Sequence, residues 1–261
     1  MSPIIFNADQ IGAVLSSFLW PFFRISAVFA VMPVLGGSEV PVRVRVALAF
    51  AITILVFPVL DTASMPVLPA LSAEAMVVTL QQILIGVATG LMVLMVFNAV
   101  LVAGESIAVT MGLGFALMND PVNGIQVPTV SQFYLVIATL LFLALDVHHA
   151  VLGLVVDSFV WLPVGQPLAT DSMWALANWS AMVFKGALAI ALPALAAMLA
   201  ANLAMGVMTR SAPQLNLFSV GFPVTMTIGF FAILVTLGGF GETFGRLLED
   251  LMPDIRAVLE P

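Results

Sequence analysis

The sequence predicts an all-α, polytopic membrane protein of about six long helices. Three observations carry this. Only 8% of the residues are charged and 62% are hydrophobic, whereas soluble domains carry about 25% charged residues; a water-facing surface cannot be built from so few. The mean hydropathy is +1.19. Six apolar runs reach the roughly 20 residues that a helix needs to cross a bilayer.

The first run, residues 11–35, contains Pro21 and Arg24. Residues 1–10 lack the positive n-region of a signal peptide, so this run reads as an uncleaved first helix. The second run is 44–60. The third, 75–103, holds no charge and exceeds the length of one span. The fourth covers 128–145, with a continuation past Asp146 to residue 161. The fifth, 174–208, contains Lys185 and Pro193, and the sixth, 215–239, contains Pro223. Residues 242–260 read as a short amphipathic tail helix. Its Phe244, Leu247, Leu248, Leu251, Ile255 and Leu259 recur at helical spacing opposite acids. No soluble linker or short repeat interrupts the chain, which reads as a single domain, 1–261.

Charge narrows the function classes. The net charge is −7 with only seven basic residues, which excludes a polybasic surface for nucleic acid. There is no cysteine, so disulfides, thiol catalysis and cysteine metal sites are excluded. Arg43 and Arg45 between the first two runs, and Arg210 between the last two, place those loops on the cytoplasmic side by the positive-inside rule.

One segment breaks the helical pattern. Residues 110–124, TMGLGFALMNDPVNG, carry three glycines, Met111, Phe115, Met118 and an Asn119-Asp120-Pro121 turn signal. Non-helical chain at membrane depth survives only inside protein or along a watery cavity. Methionine adapts its shape to what it touches. Two readings stay open on the residues alone: a plug or constriction in a pore, and a connecting loop that merely packs.

The remaining polar groups are few. Arg24 lies mid-span, where a charge is costly and faces a bundle interior or a partner; no acid on its own helices matches it, which points to a buried partner across a subunit interface. Glu105 is either its mate, a mate for Lys185, or a solvated helix end. Lys185 has a stem long enough to snorkel. Gln81, Gln82 and Asn98 suit interhelical hydrogen bonds. Asp146, His148 and His149 stand at i, i+2 and i+3, a poor tetrahedral set without other ligands, so they mark a helix break and no metal site is expected. No paired carboxylates, nucleophile elbow or phosphate loop is present, and no cofactor is expected. Gly112-Leu113-Gly114 is too short for a dinucleotide fingerprint.

Three stretches carry a resemblance: PVLGGSEVPVRVRVALAFAITILVFP at 33–58, QQILIGVATGLMVLMVFNAVLVAGESIAVTMGLGFALMNDP at 81–121, and VMTRSAPQLNLFSVGFPVTMTIGF at 207–230. Their telling pieces are Pro41-x-Arg43-x-Arg45, Gln81-Gln82-x-x-x-Gly86, Gly104-Glu105 with Met111-Gly112-Leu113-x-Phe115 and Asp120-Pro121, and Arg210-x-Ala-Pro-Gln-x-Asn-x-Phe218. With these the chain resembles the FliR family, a membrane component of the type III secretion export gate, over nearly its whole length. Injectisome homologues share the architecture; the MGLGFALMNDP segment is more similar to the flagellar branch.

The resemblance implies a non-enzymatic subunit of a helical, pseudo-hexameric gate, in the bacterial inner membrane at the flagellar basal body. Its implied partners are several copies of FliP-like and FliQ-like subunits, an FlhB-like subunit, membrane lipid and the unfolded exported proteins. Residues 1–170 would be the FliP-like part and 171–261 the FliQ-like hairpin and tail. The implied plug is about 104–124, with Gly104, Glu105, Met111, Gly112, Gly114, Phe115, Met118, Asn119, Asp120 and Pro121. The expected subunit-interface residues are Arg24, Gln81, Gln82, Lys185 and Arg210. The alternatives are an injectisome gate subunit and a stand-alone small-molecule or ion transporter.

Overall fold

A computed structural model describes residues 8–37, 39–61, 65–66, 68–69, 72–113, 129–211 and 221–260, with backbone alone over 8–16. Among the described residues the chain is helical with no strand. The helices are α1 (Ala8–Val31), α2 (Val42–Val56), α3 (Ala73–Thr110), α4 (Thr129–Ala144), α5 (Val147–Trp161), α6 (Thr170–Trp179), α7 (Ala181–Ser211) and α8 (Phe222–Leu259). A 3₁₀ turn, Phe57–Val59, extends α2. Among the described residues four stretches are long and apolar enough to cross a membrane, or five if α4 and α5 form one broken span. The chain is therefore a polytopic, all-α membrane protein.

Helix α3 has 38 residues, about 57 Å at 1.5 Å per residue. That far exceeds a hydrocarbon core of about 30 Å. It runs on to Thr110 rather than stopping near residue 103. Helix α8 also has 38 residues, so the expected tail helix is its continuation and not a separate element. Glycines 238, 239 and 241 do not stop it. A break would leave backbone groups unpaired at several kcal/mol each in hydrocarbon, whereas a helical glycine costs about 1 kcal/mol. The apolar stripe read from the tail is real: all six of its residues are buried. The fifth apolar run divides at Ser180 into α6 and α7, and the fourth breaks at Leu145-Asp146.

The contacts divide the chain into two interleaved units. The first holds 1–94, 146–180 and 250–261. Trp20, Met65, Val78, Phe159 and Val164 form a core cluster there. Helix α3 crosses α1 closely because Gly86 and Gly90 stand four residues apart on one face, the small-xxx-small spacing that lets backbones approach. A Cβ on Gly86 would lie 2.3 Å from the Arg24 carbonyl oxygen; one on Gly90 would lie 2.9 Å from Val31 Cβ. The Pro-x-Arg-x-Arg motif shapes the α1–α2 connection. Pro41 is the N-cap of α2, and Arg45 Nη2 donates to the carbonyls of Gly37 (2.9 Å) and Val40 (3.3 Å).

The second unit holds 95–145 and 181–249. Its core is aromatic: Phe97 meets Phe142 and Phe244 edge-on at 5.4 and 5.8 Å between ring centroids. Tyr134 meets Phe240 at 5.1 Å. Small residues again set the helix approaches. A Cβ on Gly104 would strike the Ser131 backbone at 2.5 Å, and one on Gly186 would lie 2.9 Å from Ala99 Cβ.

Candidate functional site

The glycine-rich segment starts from a built helix end. Helix α3 closes with the Leu113 N–H donating to the Ala108 carbonyl (3.0 Å) and the Gly112 N–H donating to Val109 (3.0 Å). These are the paired bonds of a Schellman motif. The motif needs a left-handed residue at the position of Gly112, whose φ is +85°. Glycine adopts this without a Cβ penalty. Gly112→Ala should lower the thermal midpoint of the purified protein by a few degrees, reflecting a cost of about 1 kcal/mol; an unchanged midpoint would remove this role.

Met111, the last residue before that turn, is 0% exposed. Its side chain fills the space over Gly229 of α8, where any Cβ would meet Met111 Cγ at 2.4 Å. The segment is thus anchored by a thioether locked against a bare helix backbone. Met111 packs on Gly229 at the end of α3. The non-helical segment does not begin at Gly104: residues 104–110 are helical, and Gly104 is a contact between α3 and α4. Glu105 is half-buried on α3 and makes no ion pair among the described residues. Gly114, Phe115, Met118, Asn119, Asp120 and Pro121 lie outside the described residues.

Arg24 forms a second built site, in the first unit. It is 1% exposed. Its Nε donates to Gln82 Oε1 (2.8 Å), Nη1 to the Ser158 carbonyl and hydroxyl (both 3.0 Å), and Nη2 to the Leu162 carbonyl (2.9 Å). The guanidinium also lies 4.1 Å from the Phe159 ring centroid. Ser158 and Leu162 end α5, which has no basic residue in its own last turn. A helix C-terminus carries unpaired carbonyls and a partial negative charge. The arginine of α1 satisfies both, so a carboxylate is not required.

Arg24 and Gln82 are thus joined to each other inside this chain. The buried partner exists, but it is supplied by this chain's own helices. Neutral acceptors at a helix end, unlike an acid, leave no mark in the sequence. Gln81 is half-buried, and its Oε1 lacks a hydrogen-bond partner among the described residues. Lys185 and Arg210 are exposed, and neither Arg24 nor Lys185 pairs with Glu105. The helix break expected at Asp146, His148 and His149 is present.

Large apolar side chains stand exposed in rows. On α7 these are Phe184, Leu188, Leu192, Leu199, Leu203 and Val207, four or seven residues apart and so on one face.

Over residues 15–251 the chain matches the bacterial export proteins, family 1. The flagellar biosynthetic protein FliR of Pectobacterium carotovorum subsp. carotovorum is 37% identical over 256 residues, 97% of each chain. That of Escherichia coli (strain K12) is 36% identical over 253 residues, 95% of this chain and 96% of that one. The chain belongs to the FliR family of bacterial export proteins. The same likeness extends to FliR of Bacillus subtilis (strain 168), 31% identical over 225 residues, 85% of this chain and 86% of the relative. FliR-family relatives are named for biosynthesis and export; this is a structural and transport family, and the chain is not an enzyme.

Proposed function

We propose that the chain is a subunit of the flagellar protein export gate in the bacterial inner membrane, at the basal body, and that the segment after Gly112 helps close its pore. The observation that carries this reading is the fixed root. Gly112 ends α3 in a defined turn, and Met111 is locked against Gly229, so the glycine-rich residues are launched from a rigid frame. Phe115 and Met118 supply the apolar seal, because a hydrophobic constriction excludes water and ions. Gly114 lets the segment yield when an unfolded substrate passes, while the root stays in place.

The same proposal assigns 1–170 to a FliP-like part and 171–261 to a FliQ-like hairpin and tail, in a helical pseudo-hexameric assembly. FliP-like and FliQ-like subunits, with an FlhB-like subunit beside them, would cover the apolar rows, and Gln81, Lys185 and Arg210 remain the proposed interface residues. Helices much longer than a bilayer fit a protein partly buried in other protein. Native mass spectrometry of the chain purified with these co-expressed partners should show one copy inside one large hetero-oligomer. A stable monomer or homodimer that sheds them would favour a stand-alone transporter instead.

A further inference from the structure

The break between α4 and α5 gathers the chain's only two histidines beside an aspartate. Asp146 Oδ1 lies 3.1 Å from His149 Nδ1. The rings of His148 and His149 are 4.0 Å apart between centroids. One ligand atom from each of Asp146, His148 and His149 lies within 4.8 Å of the other two.

The backbone explains why a sequence spacing that looked unsuited to a metal converges. Asp146 is the N-cap of α5 with φ 53° and ψ 23°. Aspartate is among the few residues that visit this left-handed region routinely. Its carbonyl accepts from the backbone N–H groups of His149 (3.0 Å) and Ala150 (3.2 Å). The turn brings the carboxylate back over the first turn of the helix, onto the ring of His149.

The donor set is one carboxylate oxygen and two imidazole nitrogens, which suits zinc, copper or nickel rather than calcium or magnesium. Two ligands held at 2.0–2.1 Å by a tetrahedral ion stand about 3.3 Å apart. The Asp146–His149 pair is already near that separation. The side chains of His149 and Asp146 are 68% and 74% exposed, so an ion can reach them. A polar cluster between two apolar helices faces water or protein rather than lipid. The positive end of the α5 dipole opposes a cation, and the Asp146 carboxylate offsets it; the result is an exchangeable site rather than a permanent one.

We propose that Asp146, His148 and His149 bind a divalent transition-metal ion of the zinc class, with its remaining positions filled by water. The probe is cobalt(II), whose visible bands report tetrahedral nitrogen and oxygen ligation, added to the full chain in detergent with its co-expressed partners and no polyhistidine tag. The expected result is a saturable spectrum at one equivalent of cobalt, bleached by zinc, with apparent affinity weakened at least tenfold by His149→Ala and by Asp146→Asn. Absence of the bands, or equal titration of the triple variant D146N/H148A/H149A, would mean an adventitious ion only and overturn the proposal. If the triple variant does not purify, the wild-type protein decides. Zinc should slow modification of the two histidines by diethyl pyrocarbonate at least tenfold, and equal rates would overturn it. Neither readout depends on export, so failure here leaves the gate reading untouched.

Discussion

Arg24→Met should leave little folded protein. Methionine roughly fills the volume, so a cavity is not the cause. The loss comes from the groups left behind: Gln82 Oε1, the Ser158 hydroxyl and carbonyl, and the Leu162 carbonyl. A buried acceptor left without its donor costs about 1–3 kcal/mol, and several such losses are a large part of a typical total stability of about 5–15 kcal/mol. The measurement is the monodisperse yield and thermal midpoint of the chain in detergent. A midpoint within a degree or two of wild type would contradict the account. Arg24→Lys should recover only part, because a lysine ammonium cannot span acceptors on two elements as a planar fork does. The defect should appear in the chain itself, before assembly, because every partner is internal to it.

Gly86→Ala is the second large effect, from the smallest substitution available. The new Cβ would stand 2.3 Å from the Arg24 carbonyl oxygen and 2.8 Å from Ala27 Cβ. Backbone cannot rotate aside as a flexible side chain can, so α1 and α3 must separate. Overpacking of this kind costs about 1–3 kcal/mol and sometimes more, and it displaces the helix that carries Arg24. Gly153→Ala is the matched control. It lies inside α5 with nothing within 4 Å of its Cβ position, so it should be neutral or raise stability by about 0.5–1 kcal/mol. Equal thermal midpoints for the two variants would refute the close-crossing interpretation.

Much of the fold was legible. Low charge and spanning apolar runs identified a helical membrane protein, and the heptad-like stripe from Phe244 to Leu259 identified a face that is indeed buried. The break at Asp146 was also readable. Helix ends were less so. Glycines 238, 239 and 241 looked like a boundary because glycine propensities describe helices in water, where a frayed backbone finds solvent. In the structure α8 runs through all three. The site was legible by type more than by role. Gly112 and Met111 were picked out as part of a plug or packing loop; the structure adds that they end α3 and pack on Gly229. That pairing joins residues far apart in the chain, and a glycine's bare backbone offers no sequence signal for what packs on it.

The most direct test of the gate reading is ion conductance of the assembled complex in a planar bilayer, comparing the wild-type chain with one lacking residues 114–118. This deletion spares Met111 and Gly112, so the root and the fold should survive, as an unchanged thermal midpoint would verify. The wild-type gate should be silent, and the deletion should conduct ions at rest. An intact, silent gate without those residues would contradict it.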